Sequence, residues 1–204
     1  RFKRNQYLGN KYRVAIMLNV LKKERGKVLN LIRREKDFLQ KMFFKKLSDH
    51  LHGDNFPWFF NESSMDATKT PYIKDDDFLF THNLFDSHRG RQSNWFEMFE
   101  PIMYAINEKV KVNRLIRMKL NLYTNQNKKV TYCEHCDTLD KNNIVTDNHT
   151  AILNFTTCNG GTKINKKLYD SNANEILIFN NTIKHSGVSQ TDTKSRVVLN
   201  INWK

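Results

Sequence analysis

Apolar residues recur with a helical period in the first half of this chain and with a strand period in the second half. The first series stands three, four or seven residues apart: Val14, Leu18, Leu21, Val28, Ile32, Leu39 and Met42. This spacing predicts one apolar face of an amphipathic helix, which Arg25, Gly26 and Glu35 interrupt. Residues 41–52 and residues 93–109 predict two further helices.

After Lys111 the pattern changes to alternating positions and short apolar runs, which are typical of strands. Predicted strands cover residues 115–123, 130–137, 150–156, 175–179 and 196–203, and an earlier one begins at residues 78–82. Turn-rich stretches lie at residues 124–129, 138–148, 159–161 and 186–194. Helices first and many short strands afterwards predict an α+β, mainly β fold, in which N-terminal helices buttress a β-sandwich or small barrel.

Length and composition fit a globular protein. The 204 residues are 39% hydrophobic and 12% aromatic, which is enough to bury a core. No run reaches the roughly 18 to 20 apolar residues that a membrane span needs. Three cysteines exclude a disulfide scaffold and favour a reducing compartment, so we expect a cytoplasmic location. The chain begins at Arg1, which is compatible with a fragment of a longer sequence.

The net charge of +13 is distributed unevenly. Residues 1–40 contain twelve Lys or Arg and three acidic residues, a balance of +9, whereas residues 41–204 carry only +4. We therefore predict a basic helical arm at residues 1–40 and a nearly balanced domain at residues 41–204. An amphipathic arm is typical of a helix that packs on its own domain or self-associates, and its charge also suits nucleic acid or a membrane surface.

Two histidines and one aspartate have a spacing that suits a metal ion. His135 and Asp137 stand two apart on a predicted strand, so their side chains project from the same face. His185 follows the predicted strand 175–179 across a short polar turn. Two imidazoles and one carboxylate occupy one face of an octahedron around Fe(II) and leave three positions open. Such triplets also arise by chance, so the spacing alone leaves this assignment open.

A zinc site is the competing interpretation. Cys133 and Cys136 form a Cys-x-x-Cys pair, which Cys158 and His149 would complete. On a strand, however, positions 133 and 136 point to opposite faces, and the sequence has no second Cys-x-x-Cys. Small, partly buried side chains are the other interpretation of these cysteines.

Arg196 stands eleven residues after His185 and opens the last predicted strand. Its planar guanidinium can hold a carboxylate through two parallel hydrogen bonds. Taken alone, it is equally an arginine at a strand end that faces water.

Together these residues resemble the Fe(II)- and 2-oxoglutarate-dependent dioxygenases, in particular the compact, phage-type members related to prolyl hydroxylases. The resemblance covers residues 41–204. Six segments carry it: Phe-Pro-Trp-Phe-Phe at 56–60, Arg-Met-Lys-Leu-Asn-Leu-Tyr at 117–123, His-Cys-Asp at 135–137, and the segments 150–162, 176–185 and 195–203. It implies a double-stranded β-helix, a cupin-like jelly roll, with the active site in its mouth.

The resemblance also implies roles for individual residues. His135, Asp137 and His185 would bind Fe(II) as the catalytic centre, and Arg196 would bind the distal carboxylate of the cosubstrate 2-oxoglutarate. Tyr123 matches a family position that lines the cosubstrate pocket.

Further positions follow from the same resemblance. Asn121 faces the same side as Tyr123, and Gly160 with Gly161 matches a turn that allows close strand approach. Relatives often carry tyrosines where Leu153 and Asn154 stand here, and Asn154 can still donate a hydrogen bond to the cosubstrate.

The implied activity is hydroxylation of a protein, peptide or small molecule with O2, releasing succinate and CO2, and ascorbate is expected to stimulate it. The substrate would be met in the cytoplasm, that of a host cell if a phage encodes the chain. The alternative is a non-catalytic jelly-roll module whose basic arm binds nucleic acid or a partner protein.

Overall fold

The fold is described from a computed structural model, which covers residues 32–63, 76–138, 142 and 144–204. Residue contacts divide the chain into two units, Arg1–Arg33 and Arg34–Lys204. Most of the predicted basic arm lies outside the described residues, so its helix there and its boundary at residue 40 stay predictions. Where the arm is described, residues 32–40 form a short strand at Arg33–Glu35 and a loop, so the helix prediction is wrong for this part. No helix within the described ranges is long and apolar enough to cross a membrane.

The described residues form three helices and eleven strands. The helices are α1 (Lys41–Leu51), α2 (Phe96–Phe99) and α3 (Ile102–Asn107). The strands are β1 (Arg33–Glu35), β2 (Phe59–Asn61), β3 (Leu79–Asp86), β4 (Gly90–Arg91), β5 (Leu115–Thr124), β6 (His149–Asn154), β7 (Cys158–Ile164), β8 (Lys167–Ser171), β9 (Glu175–Asn180), β10 (His185–Val188) and β11 (Ser195–Trp203).

Two sheets make up the body of the fold. The larger has the order β1-β9-β6-β11-β5-β3-β2, with β4 paired to β3, and the smaller has the order β10-β7-β8. The central strand β11 pairs antiparallel with β5 on one side and β6 on the other. This two-sheet jelly roll with a few helices confirms the predicted mainly β fold class.

Side chains along the central strands alternate between the hydrophobic core on one face of the sheet and a polar cavity on the other. On β5, Met118 and Leu120 are fully buried in the hydrophobic core, together with Ile102 and Ile106 of α3 and with Leu47 of α1. Each such side chain contributes about 1.5–3 kcal/mol to stability through burial. The intervening residues of β5 point to the other face, where they line a cavity.

The residues that lead into α1 are anchored to the body. The side chain of Asn174 accepts a hydrogen bond from Leu39 N at 2.9 Å and donates one to Leu39 O at 2.8 Å. Gln40 then caps α1 by accepting a hydrogen bond from Phe43 N at 2.9 Å. The buried side chain of Leu39 joins the hydrophobic core.

The predicted helix over residues 93–109 is two short helices. Pro101 separates α2 from α3, because proline has no backbone N–H to continue a helix and its ring crowds the preceding turn. The other predicted helix, over residues 41–52, is confirmed as α1.

One strand prediction and two turn predictions in the second half are wrong in whole or in part. Residues 186–188, predicted as the start of a turn-rich stretch, lie within β10. Residues 130–137 form no continuous strand but only isolated bridges, Thr131 to Val188 and His135 to His185. Residues 159–161, predicted as a turn, lie within β7. Their glycines serve close packing, since a Cβ on Gly161 would lie 2.2 Å from the carbonyl oxygen of Tyr169 in β8.

Candidate metal centre

Backbone pairing brings the two predicted histidine ligands together across fifty residues of sequence. His135 N donates to His185 O, and His185 N donates to His135 O, each at 2.9 Å. The two rings lie 4.7 Å apart between centroids. Asp137 follows two residues after His135, and the potential ligand atoms of all three side chains lie within 4.8 Å of one another.

Backbone carbonyls orient both imidazoles. Nδ1 of His135 lies 2.9 Å from Cys133 O, and Nδ1 of His185 lies 3.4 Å from Ile183 O. Both Nε2 atoms therefore turn toward the carboxylate of Asp137, at 3.7 Å and 3.8 Å. His185 Nε2 is buried and has no hydrogen-bond partner within the described part of the chain. Two free imidazole nitrogens beside one carboxylate fit the ligand set of Fe(II).

Two side chains that sequence reasoning missed hold the carboxylate of Asp137. Arg117 Nη2 donates to Oδ1 at 2.8 Å, and Asn202 Nδ2 donates to Oδ2 at 3.0 Å. Arg117 Nε also donates to Asn202 Oδ1 at 3.1 Å, which closes the network. The sequence does contain a signal for both residues, because side chains alternate between the two faces of a strand. Arg117 therefore lies on the same face of β5 as Tyr123, and Asn202 lies on the same face of β11 as Arg196.

The charges of this network set the protonation state of the three predicted ligands. Burial would raise the pKa of the Asp137 carboxyl, but the Arg117 guanidinium and the two histidines outweigh it and hold the pKa well below its usual range. Burial lowers the pKa of His185, which favours the neutral form that ligates metals. Burial alone would lower the pKa of His135, but the Asp137 carboxylate, 3.7 Å from Nε2, outweighs burial and raises it.

A cavity of about 280 Å³ opens beside these groups. Its walls come mainly from the inward-facing residues of β5 and β11. The residues that line it include His135, Asp137, His185, Arg117, Lys119, Asn121, Tyr123, Thr162, Arg196, Val198 and Asn200. The predicted positions Asn121 and Tyr123 therefore share one chamber with the histidine and aspartate cluster.

Arg196 is the most unusual wall residue, because its charge is buried without a carboxylate partner among the described residues. Only 1% of its surface is exposed, and its Nη2 donates to Thr162 Oγ1 at 3.4 Å. Nε and Nη1 are buried and have no partner there. The guanidinium lies 5.1 Å from the ring centroid of Tyr123. Burial lowers the pKa of Arg196, and an anion in the cavity would offset that cost.

Asn154, the remaining predicted cosubstrate residue, lies outside this group. Its Nδ2 donates to Glu175 O at 3.2 Å and its Oδ1 accepts from Ser171 Oγ at 3.0 Å. It is not among the residues that line the cavity. Its amide thus joins β6 to β9 through Glu175 and to β8 through Ser171.

The cysteines do not assemble into a zinc site in the part of the chain that the structure describes. Cys133 is exposed, Cys136 is half-buried and Cys158 is buried in β7. The cluster of potential ligand atoms found there consists of His135, Asp137 and His185. The geometry therefore favours the histidine and aspartate cluster over the cysteine alternative.

Comparison with known proteins defines the class of fold. No protein-family model and no curated protein sequence matches the chain. Solved structures do match, among them a 2-oxoglutarate and Fe(II) oxygenase and prolyl hydroxylases, so the chain has the double-stranded β-helix fold of these enzymes.

Three of these structures illustrate the similarity. A 2-oxoglutarate-Fe(II) oxygenase family oxidoreductase from Burkholderia pseudomallei matches with a TM-score of 0.60 at 7% identity, covering 85% of each chain. A Trichoplax adhaerens prolyl hydroxylase, in complex with a peptide fragment of hypoxia inducible factor, matches at 0.54 and 11% identity, covering 91% of this chain and 92% of its own. A Pseudomonas putida prolyl-4-hydroxylase matches at 0.53 and 12% identity, covering 85% and 91%.

Proposed function

We propose that this protein is an Fe(II)- and 2-oxoglutarate-dependent oxygenase that hydroxylates a protein, peptide or small molecule. The observation that carries the proposal is the shared cavity. It combines two histidines and an aspartate, whose potential ligand atoms lie within 4.8 Å of one another, with a buried guanidinium that has no carboxylate partner among the described residues. A metal site and a carboxylate site in one chamber match the two ends of 2-oxoglutarate bound at iron.

In this proposal His135, Asp137 and His185 hold the iron. When bound there, Fe(II) supplies the activation of O2 that is coupled to decarboxylation of 2-oxoglutarate, with succinate, CO2 and a hydroxylated product as the outcome. Cys133 O and Ile183 O keep both Nδ1 atoms protonated, so that each Nε2 is available as a ligand. Ascorbate is expected to stimulate the enzyme by keeping the iron reduced.

Arg196 would bind the distal carboxylate of 2-oxoglutarate through Nε and Nη1, the two nitrogens that have no partner among the described residues. Tyr123 stacks against this guanidinium and can orient it toward the cosubstrate, and Asn121 lines the same chamber. The apolar wall residues Ile152 and Val198 exclude water from the same chamber.

The test is succinate formation by purified protein with Fe(II), 2-oxoglutarate and ascorbate, together with direct titration of Mn(II) and 2-oxoglutarate without turnover. We expect His135→Ala and Asp137→Ala to lose metal binding and succinate formation. His88→Ala, an exposed histidine on the turn before β4, is the matched control and should behave as wild type. Undiminished metal binding by both ligand variants would contradict the assignment.

We propose the basic residues 1–40 as a binding segment for an anionic or protein partner, on the evidence of their +9 charge balance. If this segment were the working part of a non-catalytic module, deleting it would abolish salt-sensitive retention on DNA-cellulose or RNA-cellulose, and the full chain would form no succinate. Succinate formation by the full chain would support the oxygenase and contradict the non-catalytic module.

A further inference from the structure

A second cation of the cavity wall, Lys119, is not used by the proposed function. It lies on β5 between Arg117 and Asn121, faces the cavity with them, and stands opposite Asn200 of β11. The described residues provide no hydrogen bond or ion pair for its ammonium group. Its nearest charged neighbours are Arg117, which repels it, and Asp137, which attracts it less.

An ammonium group in this position destabilises the free protein. Burial first and the Arg117 guanidinium second lower the pKa of Lys119 to about 8, because both disfavour its charged form. The group nevertheless remains mostly protonated at neutral pH. A half-buried cation without a partner in the described structure indicates that a ligand supplies the missing negative charge.

The position of Lys119 separates it from the Arg196 carboxylate site. Tyr123 stands opposite Arg196 on β11, and Lys119 lies four residues before it on the same face of β5. Four residues of a strand span about 13 Å. The next residue on this face toward the start of β5 is Arg117, which holds Asp137. Lys119 therefore lies nearer to the metal cluster than to the far end of the cosubstrate pocket.

The sum of the charges in the cavity indicates which bound molecule would compensate the charge of Lys119. In the proposed complex, the divalent metal, the Asp137 carboxylate, the two carboxylates of 2-oxoglutarate and the Arg196 guanidinium cancel one another. Arg117 and Lys119 add two uncompensated positive charges to the wall beside the metal. The cosubstrate has no further charge to offer, so the compensating anion has to come from the molecule that is oxidised.

We propose that Lys119, supported by Arg117, recognises a carboxylate group on the substrate, and that this enzyme oxidises a carbon close to an acidic group. This inference rests on the proposed function and extends it to the class of substrate. Asn200, which stands opposite Lys119 on β11, lines the same part of the cavity. A neutral substrate would leave the Lys119 ammonium without an anionic partner in the half-buried wall of the cavity.

The experiment uses the Mn(II)-loaded protein with 2-oxoglutarate, which does not turn over, and isothermal titration calorimetry. The probes are two matched pairs, N-acetyl-L-aspartate with N-acetyl-L-asparagine and N-acetyl-L-glutamate with N-acetyl-L-glutamine. In wild type we expect the acidic member of at least one pair to bind about tenfold tighter or more than its amide, as a charge-assisted hydrogen bond allows. Lys119→Met should abolish this preference and leave the affinity for 2-oxoglutarate within about threefold of wild type.

Two further variants sharpen the test. Lys119→Arg keeps the charge and is expected to keep the preference for the acidic probe. Lys45→Met makes the same chemical change at an exposed lysine of α1, outside the cavity, and is expected to match wild type. Thermal melts of each variant show that differences in binding do not come from unfolding, and Lys119→Gln replaces Lys119→Met if the latter does not fold.

Three results would overturn the inference: equal affinity or no affinity of wild type for both members of each pair, a preference that survives in Lys119→Met, or a tenfold loss of 2-oxoglutarate affinity in that variant. The last result assigns Lys119 to the cosubstrate. Failure of wild type to bind Mn(II) and 2-oxoglutarate contradicts the proposed function instead. The probe pairs are therefore also titrated into metal-free protein. There, a preference for the acidic probe that Lys119→Met abolishes supports the role of Lys119, and equal affinity for both probes contradicts it.

Discussion

Arg117 donates a hydrogen bond to Asp137 across 2.8 Å, so a cation on β5 directly orients the carboxylate that we propose as a metal ligand. The contact acts in two directions. It keeps the carboxylate ionised and fixes its rotation, but it also brings a positive charge close to the proposed metal position. Asn202 also orients the Asp137 carboxylate but carries no charge. A substitution of Asn202 therefore tests the orientation of the carboxylate without changing the charge of the site.

Asn202→Ala is expected to weaken Mn(II) binding about ten- to hundredfold, because Asp137 Oδ2 loses the donor that fixes its orientation. Mn(II) affinity is measured by electron paramagnetic resonance of the free ion. Asn200→Ala is the control, since Asn200 lies on the same face of β11 and has no hydrogen bond to Asp137. Equal Mn(II) affinities of the two variants would show that Asn202 does not position the ligand.

Arg196→Met is expected to change stability and cosubstrate binding in opposite directions. Removal of a buried cation that lacks a carboxylate partner in the described structure should stabilise the metal-free protein by about 1–3 kcal/mol. The affinity for 2-oxoglutarate should fall about a hundredfold or more, since the distal carboxylate loses a bidentate partner. Urea unfolding and calorimetric titration measure the two effects.

The same substitution at Arg91, which forms an exposed ion pair with Glu97, should alter neither quantity appreciably. If Arg196→Met destabilised the metal-free protein and left 2-oxoglutarate binding unchanged, the arginine would be a structural residue of the core.

The strands that carry most of the cavity were predictable because they obey a strict period of two. β5 and β11 match the predicted strands 115–123 and 196–203 within a residue at each end. The segment 130–137 failed for the opposite reason. Its apolar residues alternate as in a strand, but its backbone does not pair continuously with a neighbouring strand. Within the described structure, Thr131 and His135 form single bridges to β10.

The contacts that complete the site depend on pairing between distant segments, which no local pattern encodes. His135 meets His185 through a backbone bridge across fifty residues, and Asn202 reaches Asp137 from the far end of the last strand. Lys119 belongs to the segment 117–123 that carries the family resemblance, but nothing in the sequence predicts a role for it. Its meaning depends on the lack of a partner among the described residues, and only three-dimensional structure shows that.

Gly161→Ala is expected to destabilise the protein by about 3 kcal/mol, because the added methyl group would overlap the Tyr169 carbonyl of β8. A backbone carbonyl cannot move aside without breaking the pairing of β7 with β8. Gly53→Ala is the comparison, since its methyl group would lie 3.1 Å from Asp49 O and 3.5 Å from His50 O, after the end of α1. Thermal unfolding of both variants measures the difference, and a Gly161→Ala protein as stable as Gly53→Ala would show that β8 can shift.

Lys119→Met is expected to stabilise the metal-free protein at pH 7 by about 1–3 kcal/mol, with an advantage that shrinks as the pH rises. The folded-state pKa of Lys119 is about 8, below the ordinary value of 10.5, so the folded protein releases this proton before the unfolded chain does. The destabilising effect of the charged lysine is therefore fully present below pH 8 and disappears between about pH 8 and pH 10.5. Urea unfolding of wild type and variant at pH 7 and pH 9.5 measures both differences. A gap that stays constant between the two pH values would mean that Lys119 is solvated in the folded protein, and the electrostatic argument for an acidic substrate would lose its basis.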